Sequence, residues 1–465
     1  MENNVILNTD SYKASHYLQY PPNAQFVSGY VESRGGIFKD SLFFGLQYVL
    51  KNQLNQPITM EDVEEGKDIF TNHGEPFNEE GWTRIVKEFG GYLPIEIQSV
   101  PEGTVMPVKN VLMQVKNTVP GFGWLTTYVE PMLMQLWYPI TVATNSMECR
   151  KIIAKYLEQT GDPAGIAFKL HDFGLRGVSS MESAMVGGMA HLVNFMGTDT
   201  VPALRGARRF YNANMAGFSI PAAEHSTMTS WGTEREVDAY RNMLTQFAKP
   251  GSMVAVVSDS YDIYNAVESI WGGVLKQEVI DSGATLIIRP DSGDPQTVVC
   301  RLLDICGDKF GYTTNNKGYK VLNNCVRLIQ GDGVNRAEIG TILGKMAALG
   351  WSADNIAFGM GGGLLQQVNR DDMKFAMKAS AVSYNEDASD WVPFKKTPIT
   401  DPGKNSKAGR LALWNVGSDN PQHWVTGQED DYDVSVMKNQ LKTVWKDGEM
   451  LVDDSLEDIR NRAWG

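Results

Sequence analysis

Residues 285–295, TLIIRPDSGDP, carry four residues of β character straight into an arginine, an aspartate and a glycine. Arg289 offers a forked donor for phosphate, Asp291 accepts from sugar hydroxyls, and Gly293 lets backbone amides approach oxygen atoms. This chemistry suits a polyanionic, hydroxyl-bearing ligand. Asp-Ser-Gly is also ordinary turn composition, so the run gains weight only from similar runs elsewhere.

Several such runs exist. Gly361-Gly362-Gly363 follows a strand-like stretch and offers amides to an anion, or else a tight turn. Gln330-Gly331-Asp332-Gly333 places a carboxylate between glycines, fit for a ribose diol or a turn. Ala222-Ala223-Glu224-His225-Ser226 sets an imidazole beside a carboxylate and a hydroxyl, as a base, nucleophile or phosphate donor requires, although a histidine satisfied within the fold is commoner. His171-Asp172-Phe173-Gly174 with Arg176 pairs an aromatic face with a cation, or a core ring with a surface charge. Gly197-Thr198-Asp199-Thr200 exposes a carboxylate that suits a helix cap as well as a ligand. Ser258-Asp259-Ser260-Tyr261-Asp262 follows another strand-like run. None of these is GxGxxG, GxxxxGK[ST] or GxSxG, so Rossmann, P-loop and serine-hydrolase readings do not fit.

The elements that must position these loops are short β-branched runs separated by helix-length segments. Runs at 167–170, 253–257, 285–288, 326–329 and 355–358 each lead into one loaded loop and then a helix. That rhythm specifies parallel strands with crossover helices. Five loaded loops favour a barrel, where chemistry sits on many strand ends, over an open sheet with one switch point. Residues 1–150 read as an α+β domain, with helices at 41–54, 60–71, 81–89, 124–137 and 146–157 and strands at 95–100 and 111–115. Residues 151–384 read as the α/β barrel catalytic domain. Residues 385–465 are polar and turn-rich, end in a hairpin around Lys446-Asp447-Gly448-Glu449, and are expected to return to the first domain. The expected fold is therefore α/β: a (β/α) barrel-like domain with an added α+β domain built from both chain ends.

At 465 residues, 42% hydrophobic and 21% charged, the chain has the composition of a globular protein of two or three domains. A net charge of −13 argues against nucleic-acid partners, so any phosphate site is a local cluster of Arg and Lys. Cys149, Cys300, Cys306 and Cys325 lack CxxC spacing, and the six histidines form no HExxH pattern. No apolar run is long enough to span a membrane and no secretion signal is read at the N-terminus, so a cytoplasmic protein is expected.

These motifs together resemble the nicotinamide phosphoribosyltransferases along nearly the whole chain. The likeness begins at Thr9-Asp10-Ser11-Tyr12-Lys13 with His16-Tyr17, and continues through Phe44-Gly45-Leu46-Gln47-Tyr48 and Trp137-Tyr138-Pro139-Ile140-Thr141-Val142-Ala143-Thr144-Asn145 to the loops above. It implies a head-to-tail homodimer with shared active sites that joins nicotinamide to phosphoribosyl pyrophosphate, with Mg²⁺ on the pyrophosphate groups and ATP as a facilitating co-substrate. It implies that Phe173 and the Tyr12 of a partner subunit sandwich the pyridine ring, and that Asp199 accepts from the carboxamide. Arg176 and Arg289 would lie over ring and phosphates; Asp291, Gly331 and Asp332 would hold the ribose; Gly362 and Arg370 would bind the 5′-phosphate. His225 would be phosphorylated from ATP, with Glu224, Asp259 and Asp291 near it. Arg34, Lys378, Lys395 and Lys404 would add phosphate contacts. The chain departs from the family pattern at Met360, where a small serine is usual and where a bulky side chain is expected to narrow the phosphate loop, and at Ala255 and Ala376. Two other readings stay open: a nicotinate phosphoribosyltransferase, and a noncatalytic nucleotide-binding relative.

Overall fold

The computed structural model describes residues 4–416, 423–431 and 437–465; the first three residues of the N-terminal reading lie outside them. Two compact units result, one of residues 145–207 and 214–368, the other of residues 1–144, 208–213 and 369–465. The divisions fall at 144/145 and 368/369, with 208–213 joining the chain ends.

In the first unit six parallel strands lie in the order Gly197–Thr198, Leu170–Asp172, Ile356–Met360, Val326–Gln330, Thr285–Arg289, Met253–Val257. Their β-branched, almost uniformly apolar sequences suit strands covered on both faces. The two edge strands are bridged to one further segment: Gly197 pairs with Phe218 and Ala255 with Ala222. Phe218 N–H donates to the Met196 carbonyl at 2.7 Å, and Ala255 N–H to the Pro221 carbonyl at 2.9 Å. The sheet thus curls into a barrel. Ala255, Ile287 and Ile329 form its interior, with Phe173, Ile220 and Ala357 packed against them.

Crossover helices start on side-chain caps, which fixes where each loop ends. Asp294 accepts from Thr297 N–H ahead of Pro295–Phe310, with proline in its first turn; Asn335 accepts from Glu338 N–H ahead of Arg336–Ala348; Ser180 accepts from Ser183 N–H ahead of Met181–Leu192.

The second unit holds an antiparallel sheet ordered Trp391–Pro393, Phe375–Ser383, Phe26–Ser33, Val111–Asn117, Ile95–Ser99, Lys442–Lys446, Glu449–Met450. The terminal hairpin pairs with Ile95–Ser99, so the C-terminal segment returns to the N-terminal one. Three expected helices differ. Residues 146–157 are part of the longer helix Trp137–Thr160. Residues 41–54 begin as the strand Asp40–Leu42, and helix starts only at Leu46, after Gly45 at φ 106°. A Cβ on Gly45 would stand 2.6 Å from the Pro139 ring, so glycine is required there. Residues 124–137 form two short helices, Trp124–Tyr128 and Glu130–Met134, because Pro131 suits a first turn and not an interior.

Candidate active site

The loaded loops converge at the C-terminal ends of the barrel strands, as the strand–loop rhythm requires. A cavity of about 500 Å³ runs into the barrel and is lined by Phe173, Asp199, Arg289, His171, Ser219 and Ala255, among others. Phe173 follows Leu170–Asp172 directly, and its N–H donates to the Met360 carbonyl at 3.0 Å. Its ring packs against Gly359, where a Cβ would stand 2.0 Å from Cε2. The same ring edge is 3.4 Å from the corresponding point on Gly331, and Asp291 Oδ1 is 3.6 Å from it. Aromatic face, Gly331 and Asp291 are therefore neighbours.

Asp199 follows the short strand Gly197–Thr198. Its N–H donates to the Asp172 carbonyl at 3.0 Å, and its Oδ1 accepts the hydroxyl of Ser219. Arg289 ends its strand with its side chain 17% exposed and Nε 3.8 Å from Asp291 Oδ1. That Nε is buried and has no hydrogen-bond partner among the described residues. A buried, unpaired guanidinium N–H on a cavity wall is a receptor for an anion.

His225 opens the helix His225–Thr229. Its Nε2 lies 2.9 Å from Asp259 Oδ1, and its Nδ1 lies 3.9 Å from Asp291 Oδ2. Asp259 Oδ2 accepts the Ser292 hydroxyl at 2.5 Å and Asp291 N–H at 3.0 Å. Burial pushes the Asp259 carboxyl up, but the bonds from Ser292, His225 and Asp291 outweigh it and hold the group below its usual range. Asp291 goes the other way: burial raises it, Arg289 opposes, and the charges of Asp259 and Asp332 add to the rise. Glu224 stands beside the histidine in sequence, yet its Oε1 accepts from Ser226, and its N–H donates to Thr227 Oγ1.

The glycine triplet follows Ile356–Met360, and Gly177, next to exposed Arg176, abuts Gly362 so closely that a Cβ would be 3.3 Å from its N and Cα. Asp332 is exposed after Gln330. Met360 is fully buried, and its side chain faces Gly363 from below, at 3.5 Å from a notional Cβ. It packs against Gly363 of the loop. Ala255 lines the cavity inside the barrel.

Tyr12, Arg34, Arg370, Lys378, Lys395 and Lys404 belong to the other unit. Tyr12 is 55% exposed on the 3-10 helix Ser11–Leu18. Arg34 Nε lies 3.2 Å from Glu32, a buried carboxylate that also accepts from Lys407. Lys378 Nζ lies 3.8 Å from Glu130, and burial holds its ammonium below the usual lysine range. Among the described residues Arg370 pairs with neighbouring Asp371 and Lys404 with Asp401, three residues before it, and Lys395 is exposed.

Sequence reading missed Ser219, Ser292, Glu32 and Lys407. The first two are single hydroxyls without a spacing pattern. The last two meet across 375 residues of chain.

Fold and site thus define a class, a curled parallel half-barrel whose strand-end loops gather an aromatic ring, carboxylates, a guanidinium with one free N–H and a histidine. Comparison with known proteins agrees. Residues 168–449 match the nicotinate phosphoribosyltransferase (NAPRTase) family, and residues 4–97 match the nicotinamide phosphoribosyltransferase N-terminal domain. A nicotinamide phosphoribosyltransferase of Xanthomonas campestris pv. campestris (strain 8004) is 53% identical over 462 residues, covering 99% of this chain and 98% of that protein. Among solved structures, nicotinate-nucleotide pyrophosphorylase from Pyrococcus furiosus superposes with a TM-score of 0.64 at 15% identity, covering 100% of this chain and 95% of that one. Human nicotinic acid phosphoribosyltransferase gives 0.57 at 15% identity, covering 98% and 92%. The chain belongs to the nicotinate phosphoribosyltransferase family.

Proposed function

We propose that this chain condenses nicotinamide with 5-phosphoribosyl 1-pyrophosphate, giving nicotinamide mononucleotide and pyrophosphate in NAD salvage. The observation that carries the choice of base is Asp199, a carboxylate on the same cavity wall as the Phe173 ring. A carboxylate accepts the N–H of a carboxamide and repels the carboxylate of nicotinate. The 53% identical relative bears the corresponding name.

The residues divide the work. Phe173 holds the pyridine face, with Tyr12 of a second copy on the other face in a homodimer that shares its sites. The pyridine nitrogen is a weak neutral nucleophile, so holding it in line with C1 of the ribose lowers the barrier through orientation. Departure of pyrophosphate builds positive charge on the sugar. Asp291, next to the ring, stabilises that charge, and Asp332 and Gly331 hold the ribose hydroxyls. Arg289 and Arg176 take phosphate oxygens, Gly362 and Arg370 the 5′-phosphate, and Arg34, Lys378, Lys395 and Lys404 further phosphate charge.

Among the described residues no three His, Cys, Asp or Glu side chains form a metal-holding group. Mg²⁺ would draw most of its oxygen ligands from the pyrophosphate, beside Asp291, whose charge crowding a cation relieves. It would supply charge neutralisation of the leaving group. ATP would act by transferring its γ-phosphoryl group to His225, with Asp259 orienting the ring and Glu224 bordering the site. The new anionic charge then stands beside the cation and substrate. No helix among the described residues is long and apolar enough to cross a membrane, and a cytoplasmic setting suits these substrates.

The test is pyrophosphate release from phosphoribosyl pyrophosphate with nicotinamide or nicotinate, with and without ATP. Turnover with nicotinamide, stimulated by ATP, is expected. Turnover with nicotinate alone would assign the other base, and no turnover with either would leave a binding protein.

A further inference from the structure

Asp172 has no role in the chemistry above, yet it is a fully buried carboxylate between the two loops that recognise the base. It is the last residue of Leu170–Asp172, immediately before Phe173. Its Oδ1 accepts Gly174 N–H at 2.7 Å, which bends the chain back around Phe173. Its Oδ2 stands 3.5 Å from the Thr198 hydroxyl, and that hydroxyl accepts Thr200 N–H at 3.0 Å. Its backbone carbonyl accepts Asp199 N–H at 3.0 Å. Asp199 is therefore bracketed on both sides by bonds that lead back to Asp172. Gly188 leaves room for the carboxylate, since a Cβ there would stand 3.1 Å from Oδ2. Burial raises the carboxyl to about 6, with the Asp199 charge adding to the rise. A buried carboxylate that accepts from one loop and meets a hydroxyl of the other is placed to fix the two loops relative to each other.

We propose that Asp172 is a positioning residue for base recognition, whose carboxylate locks the Phe173 loop and the Asp199 loop in one register. The inference rests on Phe173 and Asp199 being the ring and carboxamide contacts. A residue that only supports the fold lowers thermal stability and affects both substrates alike. A positioning residue raises KM for nicotinamide selectively, because Arg289 and the glycine triplet reach the phosphates from other strands.

The experiment uses the full chain with D172N and D172A, and with T198V as a second variant that removes the Thr198 hydroxyl from the link without touching the buried charge. D172A is expected to raise KM for nicotinamide about tenfold or more, with KM for phosphoribosyl pyrophosphate within about twofold. D172N retains one acceptor for Gly174 N–H and should fall between D172A and wild type, and T198V should show the same selective rise. In a D199N background, D172N should add little. An unchanged nicotinamide KM in D172N and T198V, or equal rises for both substrates, overturns the proposal. F173A and D199N separate the two claims. If they leave nicotinamide KM unchanged, the base-site reading fails and this inference falls with it; if they raise it and the Asp172 and Thr198 variants do not, only the inference fails.

Discussion

His225 meets Asp259 through Nε2 at 2.9 Å, while its Nδ1 faces the more exposed Asp291 at 3.9 Å. Asp259 is 4% exposed and anchored by Ser292 and Asp291 N–H, so it fixes the imidazole from one side and leaves one ring nitrogen open.

For the proposed phosphorylation of His225, that asymmetry makes Nδ1 the expected acceptor. Protein incubated with ATP should carry phosphate on Nδ1 of His225, read by phosphorus NMR of the alkali-stable fraction. H225A should lose the ATP-dependent gain in rate and keep basal turnover. D259N should slow phosphorylation by about 10²-fold, because the ring loses its orientation. Phosphate on Nε2, or an H225A enzyme still stimulated by ATP, contradicts the assignment.

Gly359 carries the Phe173 ring. G359A places a methyl group 2.0 Å from Cε2, and the ring has to move. KM for nicotinamide should rise about tenfold or more, an overpacking effect. KM for phosphoribosyl pyrophosphate should change less. Equal kinetics in wild type and G359A, measured on folded protein, would show that the ring does not contact the base.

Much of this arrangement is legible in the sequence. Short β-branched runs of four or five residues, each ending in a polar or glycine-rich turn, locate the strand ends, and with them Asp259, Arg289, Asp291 and Asp332; His225 is marked only by its carboxylate and hydroxyl neighbours. The segment that joins the sheet edges is not legible. Phe218–Ala223 makes isolated bridges, and Pro221, which has no N–H, removes the run of alternation that would mark a strand. Nor is Ser219 visible, because its function comes from a contact with Asp199 across the barrel edge and not from local spacing. The place of Met360 is not legible either: it ends a strand fully buried, and only structure shows its side chain against Gly363.

Glu102, in the unit built from both chain ends, gives a stability prediction. Burial raises its carboxyl from 4.5 to about 7, although Gln47 and Gly45 N–H groups donate to it at 2.6 and 3.1 Å. Between those two values the folded chain holds a proton that the unfolded chain has released, so this group's contribution to stability falls as pH rises. Urea unfolding of wild type should therefore lose stability relative to E102Q, on the order of 3 kcal/mol, on going from about pH 4.5 to about pH 7. A difference between the two proteins that stays constant over this window would mean that Glu102 titrates alike in the folded and unfolded chain.

The central claim is that the Asp199 carboxylate selects an amide over an acid. Its direct measure is the ratio of kcat/KM for nicotinamide to that for nicotinate, in wild type and D199N. Wild type should favour nicotinamide by about 10²-fold or more, and D199N should lose most of that ratio, since an asparagine accommodates either base. Wild type that uses both bases equally, or D199N with an unchanged ratio, would contradict the account.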